Sequence, residues 1–154
     1  MPQFNTKRRV RHSAAEMFDL VADVERYPEF LPFCRELIVR QRSPGADGTE
    51  ILVADLTVAY KMIHESFRSR VILDKPNLRI MVNYLRGPFR HLENSWTFRP
   101  LSEDTSDVTF FIEYEFKSRT LGLLMGAMFD VVFRSYASAF EKRADVIYAR
   151  TAQA

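Results

Sequence analysis

Residues 121–149 read LGLLMGAMFDVVFRSYASAFEKRADVIYA, the longest helical pattern in the chain and one without proline. Met125, Met128, Val132, Tyr136, Phe140, Ala144 and Ile147 recur at three- and four-residue steps, which puts them on one apolar helix face. Asp130, Arg134, Ser138, Glu141 and Asp145 fall on another face, with Asp130 and Arg134 at the i,i+4 spacing of an ion pair. At ~1.5 Å per residue such a helix is about 40 Å long, enough to cross a small domain. It needs a broad apolar surface to lie against, and the sequence before it reads as strands that supply one.

From Cys34 to Lys117 apolar residues alternate with period two between turn signals. Strands are predicted over residues 35–42, 50–58, 65–73, 78–84, 90–99 and 107–117. Leu92, Asn94, Trp96 and Phe98 share one face of their strand, and Val108, Phe110, Ile112, Tyr114 and Phe116 share one face of theirs. Apolar on one side and polar on the other means an antiparallel sheet with one wet face. Residues 3–11 form an earlier strand carrying Asn5, Lys7, Arg9 and Arg11 on one side. Charge along a strand protects an exposed edge; contact with anionic lipid or RNA is the functional alternative. Ser13 to Glu16 is a capping box that opens a helix with Met17, Leu20, Val21 and Val24 on its buried side. The prolines of Tyr27-Pro28-Glu29-Phe30-Leu31-Pro32-Phe33 stop that helix and leave room for one short second turn. Short connections favour a meander, and strand twist curves it. The expected fold is α+β: a curved antiparallel sheet of about seven strands, two short helices after the first strand, and the long C-terminal helix across the concave face. Residues 1–154 are expected to form a single domain.

Composition narrows the function. The chain has 154 residues, 47% hydrophobic and 27% charged, with a formal net charge of +2. That charge is too mild to imply nucleic acid by itself, and no DNA partner is expected. One cysteine, Cys34, excludes an internal disulfide and a cysteine-rich metal site. No uninterrupted apolar run reaches the ~18 residues of a membrane span, and the N-terminus lacks an apolar signal core. His12, His64 and His91 have no i,i+4 partner or carboxylate at metal-binding spacing, so no metal site is expected. Glu113 and Glu115 share a strand face, but the polar one, which favours two solvated carboxylates over an acid/base pair. No catalytic residue is assigned.

The informative feature is the bulk of the inward side chains. Phe67, Trp96, Phe98, Phe110, Tyr114 and Phe116 from the sheet meet Met125, Met128, Phe129, Phe133, Tyr136 and Phe140 from the helix. A filled core accounts for them; a curved sheet spanned by one helix also tends to enclose a gap, the usual form of a small-molecule site. Ser69, Asn94 and Tyr114 are polar groups on these faces, placed either to bind one another or to meet a ligand's oxygens.

The whole chain resembles the coenzyme Q-binding START-domain family, within the helix-grip superfamily that includes birch-pollen-allergen and polyketide-cyclase-like domains. The resemblance rests on segments 27–34 (YPEFLPFC), 54–58 (ADLTV), 92–98 (LENSWTF), 116–118 (FKS) and 139–144 (AFEKRA). It implies a START-like lipid-binding domain whose hydrophobic cavity holds ubiquinone or a related isoprenoid lipid, with no cofactor and no redox catalysis of its own. Phe30, Leu31, Phe33 and Trp96 would border that cavity, with Met125, Phe129 and Phe133 as its helical wall; Phe67, Tyr114 and Tyr136 complete the expected ligand-binding set. Leu121, Leu123, Leu124 and the turn holding Tyr60, Met62 and Ile63 are candidates for its lip. The sequence departs from the family at Leu37, where a serine is expected, and in the glycine-poor segment 59–63. The resemblance further implies a bacterial, cytoplasmic protein touching the inner membrane transiently, with respiratory complexes as partners. Bacterial relatives called ribosome-association toxins offer the ribosome as the alternative partner, and a polyketide cyclase or aromatase is a third reading.

Overall fold

The computed structural model describes residues 3–60 and 62–148, including all of their side chains except those of Tyr60 and Ile63. The elements are β1 (Gln3–Val10), α1 (Ala14–Ala22), a 3₁₀ turn (Val24–Glu29), β2 (Cys34–Pro44), β3 (Glu50–Tyr60), β4 (Ile63–Asp74), β5 (Arg79–Arg86), β6 (Phe89–Pro100), β7 (Ser106–Phe116) and α2 (Arg119–Ile147). The sheet order is β1-β7-β6-β5-β4-β3-β2, with every pair antiparallel. Six consecutive strands form the expected meander, and β1 returns beside β7 as an edge. Irregular register in the β2–β3, β4–β5 and β6–β7 pairs bends the sheet, because an extra residue on one strand kinks it and increases twist. This is the curved sheet and long helix of a helix-grip fold.

Local chemistry explains the helix boundaries. Ser13 Oγ accepts from Glu16 N at 3.0 Å while Ser13 N donates to Glu16 Oε1 at 3.1 Å, so both halves of the capping box are made. Ser118 caps α2 through the Leu121 amide at 3.1 Å. The prolines do not end α1, contrary to expectation: it stops at Ala22, five residues before Tyr27, and Pro28 lies inside the 3₁₀ turn. A 3₁₀ segment this short makes few internal hydrogen bonds, so the missing proline N–H costs it little. Gly87 is required at the β5–β6 turn: its φ is +152°, and a Cβ there would sit 2.5 Å from the Phe67 Cβ.

Met125, Met128, Val132, Tyr136, Phe140 and Ala144 are buried, as the periodicity indicates, but Ile147 is 42% exposed. The last turn of α2 is held differently, by polar contacts: Asp145 Oδ1 lies 2.7 Å from His12 Nε2, and Tyr148 Oη donates to Glu16 O at 3.0 Å. Ala149 lies outside the described residues. By length and composition α2 could cross a bilayer, yet much of its most apolar window is buried inside the protein. Asp130 and Arg134 form the expected pair at 3.0 Å.

Phe89 is the hub of the core between sheet and helix. Its ring meets Phe67, Tyr84, Tyr114, Phe116 and Phe129 at centroid distances of 4.9–5.9 Å. Phe89→Ala is therefore expected to lower the unfolding free energy by about 3–5 kcal/mol, measured by urea denaturation. A loss below about 1 kcal/mol, the size of an ordinary substitution, would mean that the ring cluster does not support the fold.

Candidate functional site

A hollow of about 80 Å³ lies between the inner face of the sheet and α2. The sheet contributes Leu37, Ala54, Leu56, Phe67, Ser69 and Val71 from β2–β4, and Ile80, Val82, Leu92, Asn94, Trp96, Phe110 and Ile112 from β5–β7. Val24 and Tyr27 close one side, and Phe133, Tyr136 and Phe140 of α2 form the lid. Among the described residues no charged side chain borders it. The register explains the space: Ala54 and Ser69 are direct cross-strand partners, so two short side chains lie together where the rest of the surface is large. Rigid rings descending from α2 cannot collapse into that gap.

Four wall residues carry hydroxyl or amide side chains, and their states differ. Tyr27 Oη donates to the Val21 carbonyl, and Asn94 Nδ2 donates to Phe111 O at 2.8 Å. Ser69 Oγ and Tyr136 Oη are buried with no hydrogen-bond partner. Burial pushes the Tyr136 phenol well above its ordinary pKa, so the group remains a neutral donor. Asn94 and Ser69, picked out in the sequence as polar groups on apolar faces, thus do not bind each other, and Tyr114 lies elsewhere.

Of the ten expected ligand-binding residues, Phe67, Trp96, Phe133 and Tyr136 border the hollow. The other six do not. Met125 and Phe129 are buried, and Phe129 packs on Phe89 and Phe116, farther toward the start of α2. Tyr114 instead lines an open cleft of about 840 Å³ between the end of β7 and the first turns of α2, with Phe116, Gly122, Leu123 and Gly126. Phe133 touches Tyr114 at 5.2 Å, so one ring pair links hollow and cleft. Phe30 lines a separate shallow cleft on the far flank of α2, with Arg143 over its ring. Leu31 is buried and Phe33 half-buried, at the backbone junction where Ala59 N donates to Phe33 O. Residues such as Ala54 and Ile80 were missed because alternation identifies inward residues without showing which adjoin free space. Of the expected lip, Leu123 and Leu124 are exposed, Met62 is 98% exposed, and Leu121 is half-buried against the core. The Tyr60 and Ile63 side chains lie outside the described residues.

Two features outside the hollow qualify the sequence reading. The basic residues of β1 are engaged: Lys7 and Arg9 lie 3.7 and 3.2 Å from Asp107, and Arg8 lies 2.8 Å from Glu141. The sheet also gathers His91, Glu93 and Glu113, whose ligand atoms lie within 4.8 Å of one another on the outer face. Linear spacing hides this group, because the Glu93–Glu113 pairing between β6 and β7 makes it. His91 Nε2 lies 3.1 Å from Glu113 Oε1, which also accepts from Gln3 through its other oxygen.

A bent antiparallel sheet gripping one long helix over an uncharged hollow is the START-like architecture. The chain belongs to the polyketide cyclase / dehydrase and lipid transport family, whose model it matches over residues 10–141. It is 32% identical over 148 residues to the ribosome association toxin RatA of Escherichia coli K12, covering 96% of this chain and 90% of the relative. It is 32% identical over 152 residues to the mitochondrial coenzyme Q-binding protein COQ10 homolog B of Xenopus laevis, covering 96% of this chain and 60% of that one. A START superfamily protein from Mycobacterium smegmatis has the same fold at 19% identity, with a TM-score of 0.77 over 94% of this chain and 98% of that one.

Cys34 is buried close to Tyr27 and Tyr136, and desolvation pushes its thiol up to about 12. At pH 8 it is therefore a thiol rather than a nucleophilic thiolate. Iodoacetamide at pH 8 is expected to leave the native protein unlabelled and to alkylate it fully in urea; rapid native labelling would place Cys34 at an accessible surface.

Proposed function

We propose that this protein is a carrier for a long-chain isoprenoid quinone such as ubiquinone, which it takes from the bilayer and presents to respiratory enzymes. The uncharged hollow between sheet and helix carries this reading. Each buried CH₂ contributes ~0.8 kcal/mol, so a prenyl chain gains most from an enclosure of this composition, whereas an acid/base enzyme needs ionisable groups at its substrate. The quinone is cargo and the protein supplies no redox group. The hollow at about 80 Å³ is smaller than the roughly 150 Å³ apolar cavity that accepts benzene. Loading therefore requires α2 to swing outward. The seating of its first turns allows this: a Cβ at Gly126 would meet nothing within 4 Å, and one at Gly122 would meet only Phe116, at 3.8 Å.

The exit lies at the end of the sheet where β4 begins and β5 and β7 end. The exposed side chains of Met62, Leu85, Leu123 and Leu124 occur at this end, with exposed Arg86, Lys117 and Arg119. Apolar side chains fringed by cations suit an anionic lipid surface, each cation adding about 1 kcal/mol there. In this reading the protein is cytoplasmic and peripheral to the inner membrane. A second reading, attachment to ribosomes with inhibition of translation, is favoured by the near full-length similarity to the RatA toxin.

Three measurements test these readings. Organic extraction of the protein purified from its own host, followed by mass spectrometry, is expected to release a quinone. Ala54→Leu, which plugs the hollow with an apolar side chain, is expected to abolish that release while leaving circular dichroism unchanged. A quinone-free extract from wild-type protein refutes the carrier; sedimentation with ribosomal subunits at moderate salt would then support the second reading, and protein left at the top of the gradient would remove it. On vesicles containing phosphatidylglycerol, Leu123→Glu with Leu124→Glu is expected to weaken binding at least about ten-fold, since each buried leucine contributes ~1.5–3 kcal/mol; unchanged binding would move the exit elsewhere.

A further inference from the structure

We propose that Ser69 and Tyr136 form the polar recognition pair of the hollow, two hydroxyl donors that select a ligand whose inserted end is a neutral ring bearing hydrogen-bond acceptors. This rests on the carrier reading and specifies which part of the ligand reaches the interior. Both hydroxyls are buried, both border the hollow, and neither has a hydrogen-bond partner. Their neighbours differ: Tyr27 and Asn94 border the same space with their donors committed to backbone carbonyls. Of its hydroxyl and amide side chains the wall thus satisfies two and leaves two open. A buried hydroxyl without a partner costs about 1–3 kcal/mol, and a phenylalanine or alanine in its place would avoid that cost.

The chemistry of the wall defines what can complete the pair. No charged side chain borders the hollow among the described residues, so an ionic end group would be buried without a counter-charge. A saturated hydrocarbon would fill the space and leave both hydroxyls unpaired. Carbonyl or ether oxygens on a flat ring supply acceptors, and Trp96, Phe110 and Phe133 around them supply faces for stacking. The ring of the ligand therefore points inward, and its tail leads out past Phe133 and Tyr114 toward the open cleft beside Gly122 and Gly126.

The test uses Trp96, the single tryptophan of the chain, whose fluorescence reports a quinone in the hollow. The probes are ubiquinone with a two-isoprene tail and, as competitor, farnesene, an isoprenoid hydrocarbon without oxygen. Tyr136→Phe and Ser69→Ala are each expected to weaken quinone binding about ten-fold, the effect of one net hydrogen bond of about 1.4 kcal/mol. Farnesene should compete with unchanged affinity, and both variants should melt no lower than wild type, because each removes an unsatisfied buried group. Wild-type quinone affinity in both variants overturns the recognition pair and leaves the carrier standing. Equal loss of quinone and farnesene also overturns it, since the two residues would then only shape the hollow. If wild-type protein binds neither probe, the carrier reading fails and takes the pair with it.

Discussion

Burial of one face of α2 in the bend of the sheet is the constraint on which the molecule depends. A helix of 29 residues gains most of its stability from packing rather than from propensity, and a sheet with one apolar face must be covered. Each element supplies what the other lacks. Ring contacts make the joint continuous: Phe116 meets Phe129, Phe129 meets Phe133, Phe133 meets Tyr136, and Tyr136 meets Phe110, which meets Trp96 and through it Phe140. Beyond Phe140 only Ala144 is still buried in the core, and the other contacts become polar ones to Arg8 of β1, Glu29, His12 and Glu16. One end of α2 is thus tied down by hydrogen bonds while the other lies beside an open cleft.

The hollow is a departure from close packing that the chain could have avoided. At roughly 24 cal/mol per Å³ an empty space of this size costs about 2 kcal/mol, and the two unpaired hydroxyls add to that. One larger apolar residue at position 54 or 69 would remove much of the defect. The void and the two unpaired hydroxyls lie together, the combination that the proposed carrier role uses.

Much of this was legible in the sequence, for identifiable reasons. Helical period, capping box and strand alternation are local properties, so α2, α1 and all seven strands could be placed within a few residues of their ends. The inward residues were legible too, because alternation assigns faces. What alternation cannot give is the register between strands, and the site depends on it. Ala54 and Ser69 make a gap only because β3 and β4 set them opposite each other, and Glu93 meets Glu113 only through the pairing of β6 with β7. Phe30 and Tyr114 failed to reach the hollow for a related reason: the rings of Tyr27 and Phe140, on which Phe30 packs, border the hollow in its place, while Tyr114 lies one ring too far along β7. Pro28 is a weak boundary signal because the 3₁₀ turn absorbs it.

The alternation that hides the site also separates its possible functions. Residues facing the hollow and residues facing solvent interleave along β2 to β7, so ligand recognition and contact with a large partner would draw on different side chains of the same elements. Relatives with such different names, a ribosome association toxin and a coenzyme Q-binding protein, can therefore share this scaffold at 32% identity each. The cations of β1 pair with Asp107 and Glu141, while the Lys7 and Arg9 side chains stay largely exposed along that edge. α2 is the exception to this separation. Its inner face closes the hollow, while Leu123, Leu124 and Val131 on its outer flank are exposed. The helix thus carries exposed apolar side chains in its first half and the lid of the hollow, Phe133, Tyr136 and Phe140, from its midpoint onward.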